Sequence, residues 1–356
     1  MRHIPKLEVR RLRAHVERSL DGGRLDLLDR RLHRLDQLRR PLREAVAQHL
    51  QFVVKKPVVR HGILLRPLYE RAPARLRYPA PVHTDLLLMP FGATYAQMRE
   101  AAVVAEDAGF DGIWTWDHLR DADYNSGRVP EALVTLTGIA EATSRVMLGT
   151  LVLNVANRHP GLLANMAATL QEVSGNRFIL GLGAGGGPSL PYAPEQTMIG
   201  RPVPPDRVRA AQVAEAAQVL RHLWSGERAS FDGEHFQLRN AHGYPRPEVP
   251  PPVIVGGWGP RMAGIAGRHA DGFNTQAGHP QLESFAEVAR REHAASGRNP
   301  DDFLLTVFAG LSEPYVRADG SARAALEHKG VDRLILLTAP PYYLDEIREA
   351  GRMLRA

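Results

Sequence analysis

Two apolar runs break into glycine-rich turns, RFILGLGAGGG at 177–187 and PPVIVGGWGPR at 251–261. Glycine carries no Cβ, so each run reads as a buried strand delivering bare backbone to a place that a large, phosphorylated cofactor can approach closely. In the second turn the N–H groups around Gly256, Gly257 and Gly259 can point at phosphate oxygens. A helix predicted to begin at Pro260 adds favourable partial charge, and Arg261 can supply a charge-assisted bond. In the first turn Ala184 and Gly185 are the residues that emerge from the strand. A tight strand-to-helix turn needing φ > 0 is a structural reading compatible with the phosphate one. A third candidate is the WDH run at 116–118. Imidazole has an ordinary pKa of ~6.5 and can give or take a proton near neutrality, and His118 ends an apolar run beside Asp117. A loop histidine bonded to backbone is the plainer alternative.

Gly181, Gly183 and Gly186 also satisfy the dinucleotide fingerprint G-x-G-x-x-G. That fingerprint needs a helix to start within the glycines, whereas Pro188, Pro191 and Pro194 follow and the next helical pattern begins near Asp206. Asp206 itself suits an N-cap. The prolines argue against a Rossmann turn.

The elements that must carry these residues alternate from residue 85 onward. Strands are predicted at 85–90, 110–116, 146–153, 177–182, 252–255, 271–275, 303–308 and 332–337. Helices follow each in turn, at 94–108 (stopped by Gly109), 130–143, 160–173 (started by His159 and Pro160), 206–223, 260–268, 280–296, 321–328 and from about 342. Eight βα units with strands apolar on both faces predict a (β/α)₈ TIM barrel, whose site lies at the C-terminal ends of its strands. Segments 184–204 and 224–250 are too long for ordinary barrel loops. The first follows a strand and is expected on the site face, and the second follows a helix and starts from the opposite one.

Residues 1–80 differ in kind. They hold 20 Lys+Arg against 8 Asp+Glu, leaving 25 against 31 in the remainder, so the overall charge of +6 conceals an acidic body. Leu25, Leu28, Leu32 and Leu35, then Leu38, Leu42, Val46 and Leu50, predict basic amphipathic helices interrupted at Pro41, with an irregular linker over 57–81. Docking on its own domain or on a second subunit is the favoured reading of the extension, with a homodimer as the expectation; contact with nucleic acid or a membrane surface is the less favoured alternative and is confined to these residues. There is no cysteine, and no apolar stretch reaches the ~20 residues of a membrane span; a cytoplasmic protein is expected. His159, His222, His235, His242, His269 and His279 lack metal-ligand spacing, and no G-x-S-x-G elbow occurs. The sequence thus gives no pattern for a metal site or a serine hydrolase.

Three stretches in order, RHPGLLANMAATLQEVSGNRFILGLGAG, DRVRAAQVAEAAQVLRHLWSGERASFDGEHFQL and VGGWGPRMAGIAGRHADGF, resemble the bacterial luciferase-like family, in particular its branch that uses the 8-hydroxy-5-deazaflavin coenzyme F-420. The resemblance covers about residues 83–356. It implies that Asp117 contacts the deazaflavin head and that His118 faces the reacting ring. It further implies a non-proline cis peptide between Leu151 and Val152 against the cofactor, and a phosphate-binding loop at Gly256, Gly257, Gly259 and Pro260. Two positions depart from the family's sugar-phosphate dehydrogenases, with Gly186 in place of a glutamate proton donor and Ala122 in place of a tryptophan. What the resemblance implies is an oxidoreductase moving hydride between coenzyme F-420 and a small organic substrate, or a monooxygenase using reduced FMN. The substrate pocket would be bounded by 184–204, with Tyr192 and Met198 as its apolar lining. A non-catalytic flavin- or deazaflavin-binding homologue, docking a partner through the extension, is the alternative.

Overall fold

The computed structural model describes residues 82–121 and 126–356; the basic extension and Ala122 lie outside the described residues. A closed ring of parallel strands forms the centre, in the order β1 (His83–Leu88), β2 (Gly112–Thr115), β3 (Met147–Thr150) continued by β4 (Leu153–Asn154), β5 (Phe178–Gly183), β8 (Val253–Gly256), β9 (Gly272–Gln276), β10 (Leu304–Gly310) and β11 (Arg333–Thr338). Pairing of β11 with β1 and of β3 with β5 closes it. The eight-stave TIM barrel predicted from the alternation is therefore the fold.

The crossover helices are α1 (Tyr95–Ala108), α2 (Ala132–Ala142), α3 (Pro160–Val173), α5 (Asp206–Trp224), α6 (Pro260–His269), α7 (Leu282–Ala295), α9 (Ser321–His328) and α10 (Leu344–Arg355). Local chemistry sets their ends. Thr94 and Gln97 form a reciprocal capping box at the start of α1, and Gly109 stops it at φ 92°. His159 caps α3 by accepting from Gly161 N–H, with Pro160 in the first turn. Asp206 is not the cap of α5: Pro205 holds that place and Asp206 is the first helical residue, ion-paired to Arg209 at 2.8 Å. The two long insertions fold into pieces not legible in the periodicity. Segment 184–204 contains the short α4 (Ala193–Met198), and 224–250 contains an antiparallel hairpin of β6 (Ala229–Asp232) and β7 (Gln237–Ala241). A further short helix, α8 (Glu313–Val316), follows β10.

The barrel interior is filled from the bottom by a charged plug. Asp85, fully buried, accepts from Arg333 Nε and Nη2 at 2.7 Å each and from Trp114 Nε1 at 2.8 Å. Burial would lower the Arg333 guanidinium, but the charge and hydrogen bonds of Asp85, with the charges of Asp111 and Asp332, together outweigh it and raise its pKa. Glycines make the room: a Cβ on Gly112 would lie 2.7 Å from Asp85 Oδ1, and one on Gly149 only 2.1 Å from the Trp114 ring. Above the plug, Leu87, Met89, Phe91, Leu151, Ile179, Ile254 and Ile335 form an apolar layer, and Trp116, Val152 and Tyr192 pack on it from the C-terminal side.

Candidate functional site

Trp116, Asp117 and His118 follow directly on β2, so the barrel delivers them to its C-terminal rim. His118 is 19% exposed at its side chain, and its Nδ1 lies 3.0 and 3.2 Å from the two carboxylate oxygens of Glu195. That contact is to a buried acid and not to loop backbone, which is the alternative for a lone loop histidine. Glu195 sits in the first turn of α4 and is 4% exposed. Aromatic rings enclose the imidazole: Tyr192 at 4.1 Å between centroids, Phe91 at 5.1 Å and Trp116 edge-on at 5.9 Å. Of the two residues expected to line a pocket, Tyr192 packs against His118, whereas Met198 stands 59% exposed and takes no part in this cluster.

Asp117 points the other way. Its carboxylate receives both Arg158 Nη groups at 2.8 Å and the N–H of Asn154 at 3.0 Å, while Arg158 also pairs with Glu131. Burial would lower the Arg158 guanidinium, but its bonds to Asp117, then the charges of Asp117 and Glu131, raise it instead. With both oxygens engaged, the Asp117 carboxylate organises the rim. Asn154 Nδ2 continues the chain to Gln196 Oε1 at 3.3 Å, which ties α4 to the same loop.

The peptide bond between Leu151 and Val152 is cis, as the family resemblance implies. It interrupts the ladder between β3 and β4, and Val152 then occupies the space that the neighbouring glycines leave. A Cβ on Gly183 would lie 2.3 Å from Val152 Cγ2, and one on Gly256 2.9 Å from Val152 Cγ1; one on Gly181 would meet the Thr150 carbonyl at 1.9 Å. The direct requirement for glycine at 181, 183 and 256 is thus the protein's own bulge. Beyond them, Gly185 has φ 68°, and the carbonyls of Ala184 and Gly185 are held by Arg209 Nη1 at 2.7 and 2.6 Å.

The loop after β8 divides into two parts. Gly257 N–H donates to the Asn274 carbonyl at 3.0 Å, and a Cβ there would collide with Met262, so this glycine serves the turn. Gly259 is the N-cap of α6, with open space where a Cβ would stand, and Pro260 and Arg261 begin the helix. The N–H groups of Arg261 and Met262 have no partner one turn back within α6, as at any helix start. Arg261 is exposed and makes no ion pair among the described residues. Trp258 stands beside them, edge-on to Phe308 at 5.6 Å. These donors, an open approach and a free guanidinium fit a phosphate group.

A family description, Luciferase-like monooxygenase, matches residues 74–340. The chain belongs to the luciferase-like family. Among its luciferase-like relatives, an F-420-dependent glucose-6-phosphate dehydrogenase of Kineococcus radiotolerans is 36% identical over 220 residues, 61% of this chain and 64% of that one. Another, from Beutenbergia cavernae, is 41% identical over 49% of this chain and 51% of its own length. The chain spans about half to two thirds of the length of the curated relatives it matches. In fold it is similar to an F-420-dependent secondary alcohol dehydrogenase solved with an F-420–acetone adduct, at a TM-score of 0.67 and 19% identity over 78% of this chain and all of that one.

Glu195, Arg158, Glu131 and Gln196 are not legible as site residues from sequence. The available signal was an acid placed just after Pro194 in an otherwise apolar, proline-rich segment on the site face. Among the described residues no helix is long and apolar enough to cross a membrane, and no three potential ligands cluster as a metal site.

Proposed function

We propose that this chain is a deazaflavin-dependent oxidoreductase, transferring hydride between coenzyme F-420 and a small organic substrate in the cleft at the C-terminal rim of the barrel. The observation that carries this reading is His118, held through Nδ1 by a buried carboxylate at the C-terminal rim, in a chain whose curated relatives are named F-420-dependent. A deazaflavin bound there would supply the hydride-accepting and hydride-donating chemistry. The chain's residues do the rest. The first turn of α6, with Arg261, holds phosphate; Val152 and the apolar layer beneath it support the ring; and His118 takes the hydroxyl proton as the substrate carbinol becomes a carbonyl, returning it in the reverse direction.

The sugar phosphate of the curated relatives is not carried over, because the family resemblance implies a proton-donating glutamate where this chain has Gly186. The test is the absorption spectrum and mass of the small molecule that co-purifies from a deazaflavin-producing host. Coenzyme F-420 with substrate-dependent bleaching or recovery of its absorbance is the expected result. Co-purified FMN, with oxygen consumed in turnover, would replace hydride transfer by monooxygenation.

A further inference from the structure

The carboxylate of Glu195 has no counterpart in the chemistry assigned above. It is 4% exposed, and His118 Nδ1 lies within hydrogen-bond distance of both its oxygens. Its backbone is fixed independently. Glu195 N–H donates to the Tyr192 carbonyl at 3.1 Å, and the next residue, Gln196, is anchored at both ends of its amide, to Asn154 Nδ2 and to the Pro202 carbonyl. Asn154 is in turn held by Asp117. The adjacent pair 117–118 is thus tied to the adjacent pair 195–196 by two routes, one through Asn154 and one direct. Rings restrict the imidazole further, with Tyr192 closest at 4.1 Å.

We infer that Glu195 is the positioning residue of the site: it fixes His118 as the Nδ1–H tautomer, so that Nε2 presents its lone pair to the substrate hydroxyl. A carboxylate at neutral pH can only accept, so the hydrogen between it and a neutral imidazole sits on Nδ1 and Nε2 is left as the acceptor. When Nε2 takes the hydroxyl proton, both nitrogens carry hydrogen and the imidazolium charge lies against the Glu195 carboxylate; when the proton is returned, the starting tautomer is restored. The carboxylate itself neither gains nor loses a proton. Insertion 184–204 thereby provides an acid that orients the histidine, a different task from the proton donor that the family's dehydrogenases carry at the position of Gly186.

This inference rests on the oxidoreductase reading for its kinetics but not for its spectroscopy. The full-length protein labelled with ¹⁵N-histidine is compared with Glu195→Ala and Glu195→Gln, the His118 resonances being assigned by their loss in His118→Ala. Wild type is expected to show a protonated Nδ1 and a bare Nε2. Glu195→Ala should show the proton redistributed toward Nε2, and Glu195→Gln, whose amide can turn its NH2 to Nδ1, should move the proton the same way. In turnover, Glu195→Ala and Glu195→Gln should each lower kcat by on the order of a hundredfold or more with KM nearly unchanged. An Nε2–H tautomer in wild type, or an unaltered tautomer in a folded Glu195→Ala protein, overturns the assignment. If the tautomer shifts as expected but no hydride transfer is detected in wild type, the positioning role stands and the proposed reaction falls.

Discussion

The two ends of the barrel each hold a carboxylate against a nitrogen base, and they differ in one chemical respect. At the bottom, Asp85 meets the guanidinium of Arg333 in a two-bond fork, with Trp114 Nε1 as a third donor. At the rim, Glu195 meets the imidazole of His118. A guanidinium stays protonated throughout the accessible pH range, so the lower pair holds one state and serves only to fill and register the strands. An imidazole can exist in three protonation forms, so the upper pair can change state without leaving its place. Surroundings match: the plug is sealed by Gly112 and Gly149, which admit the carboxylate and the indole, whereas His118 keeps 19% of its side chain exposed. The two pairs lie at opposite ends of the strands, one sealed in the barrel and one open at the rim.

The sharpest test of that contrast is to break each pair. His118→Ala should lower turnover by ~10²–10⁴, the range for loss of a general acid or base, while leaving cofactor affinity within about tenfold. Steady-state kinetics and cofactor titration check it, and wild-type turnover would make the upper pair structural like the lower. Asp85→Ala should do the reverse. Removing one partner leaves Arg333 charged and buried, which costs about 3–5 kcal/mol in urea unfolding, with turnover per folded molecule retained.

The anion site can be separated from the fold in the same way. Gly259 is an N-cap with open space around it, and Asp is among the best capping residues. Gly259→Asp should therefore keep or slightly raise stability while placing a like charge where phosphate is proposed to bind, weakening cofactor affinity about 10- to 100-fold by fluorescence titration. Equal affinity in a stable variant would remove the start of α6 from the site. Gly257→Asp is the poorer test, since its Cβ would meet Met262 at 2.3 Å.

The smallest expected effect concerns an acid that belongs to neither pair. Glu106, near the end of α1, accepts from the N–H groups of Ser144, Arg145 and Val146 at 3.0, 2.7 and 3.0 Å. Burial would raise its pKa, but the bonds from Val146, Arg145 and Ser144 outweigh burial and hold it below the ordinary 4.5. A depressed acid stabilises the fold fully above its unfolded pKa, and that contribution is lost as pH falls through the folded value. Glu106→Gln should therefore cost about 1 kcal/mol at pH 7, with the gap to wild type narrowing on acidification below the ordinary carboxylate range. A gap that widens in acid would reverse the sign of the shift.

Much of the barrel was legible because its signals are local. Apolar runs bounded by turns placed the eight barrel staves within about two residues, and Gly109, His159 and Pro160 marked helix ends by capping chemistry that spans three or four residues. Where two nearby residues competed, local chemistry was not enough: Asp206 has the right side chain for a cap, yet Pro205 takes the position. The glycines of RFILGLGAGGG marked a close approach correctly, but the partner in contact with Gly183 is Val152, thirty-one residues earlier.

By itself the sequence determined the eightfold alternation, the rim position of His118 and the glycine-rich turns, because strand periodicity, strand order and turn chemistry are written in neighbouring residues. Only the tertiary structure decided what those residues face. Asp117 turns to Arg158, forty-one residues on, and His118 meets Glu195, seventy-seven residues on, through a short helix inside a proline-rich insertion with no periodicity to announce it. Barrel closure brings the ends of β2, β3 and β5 side by side, and such pairings between distant loops leave no pattern in one chain read along its length.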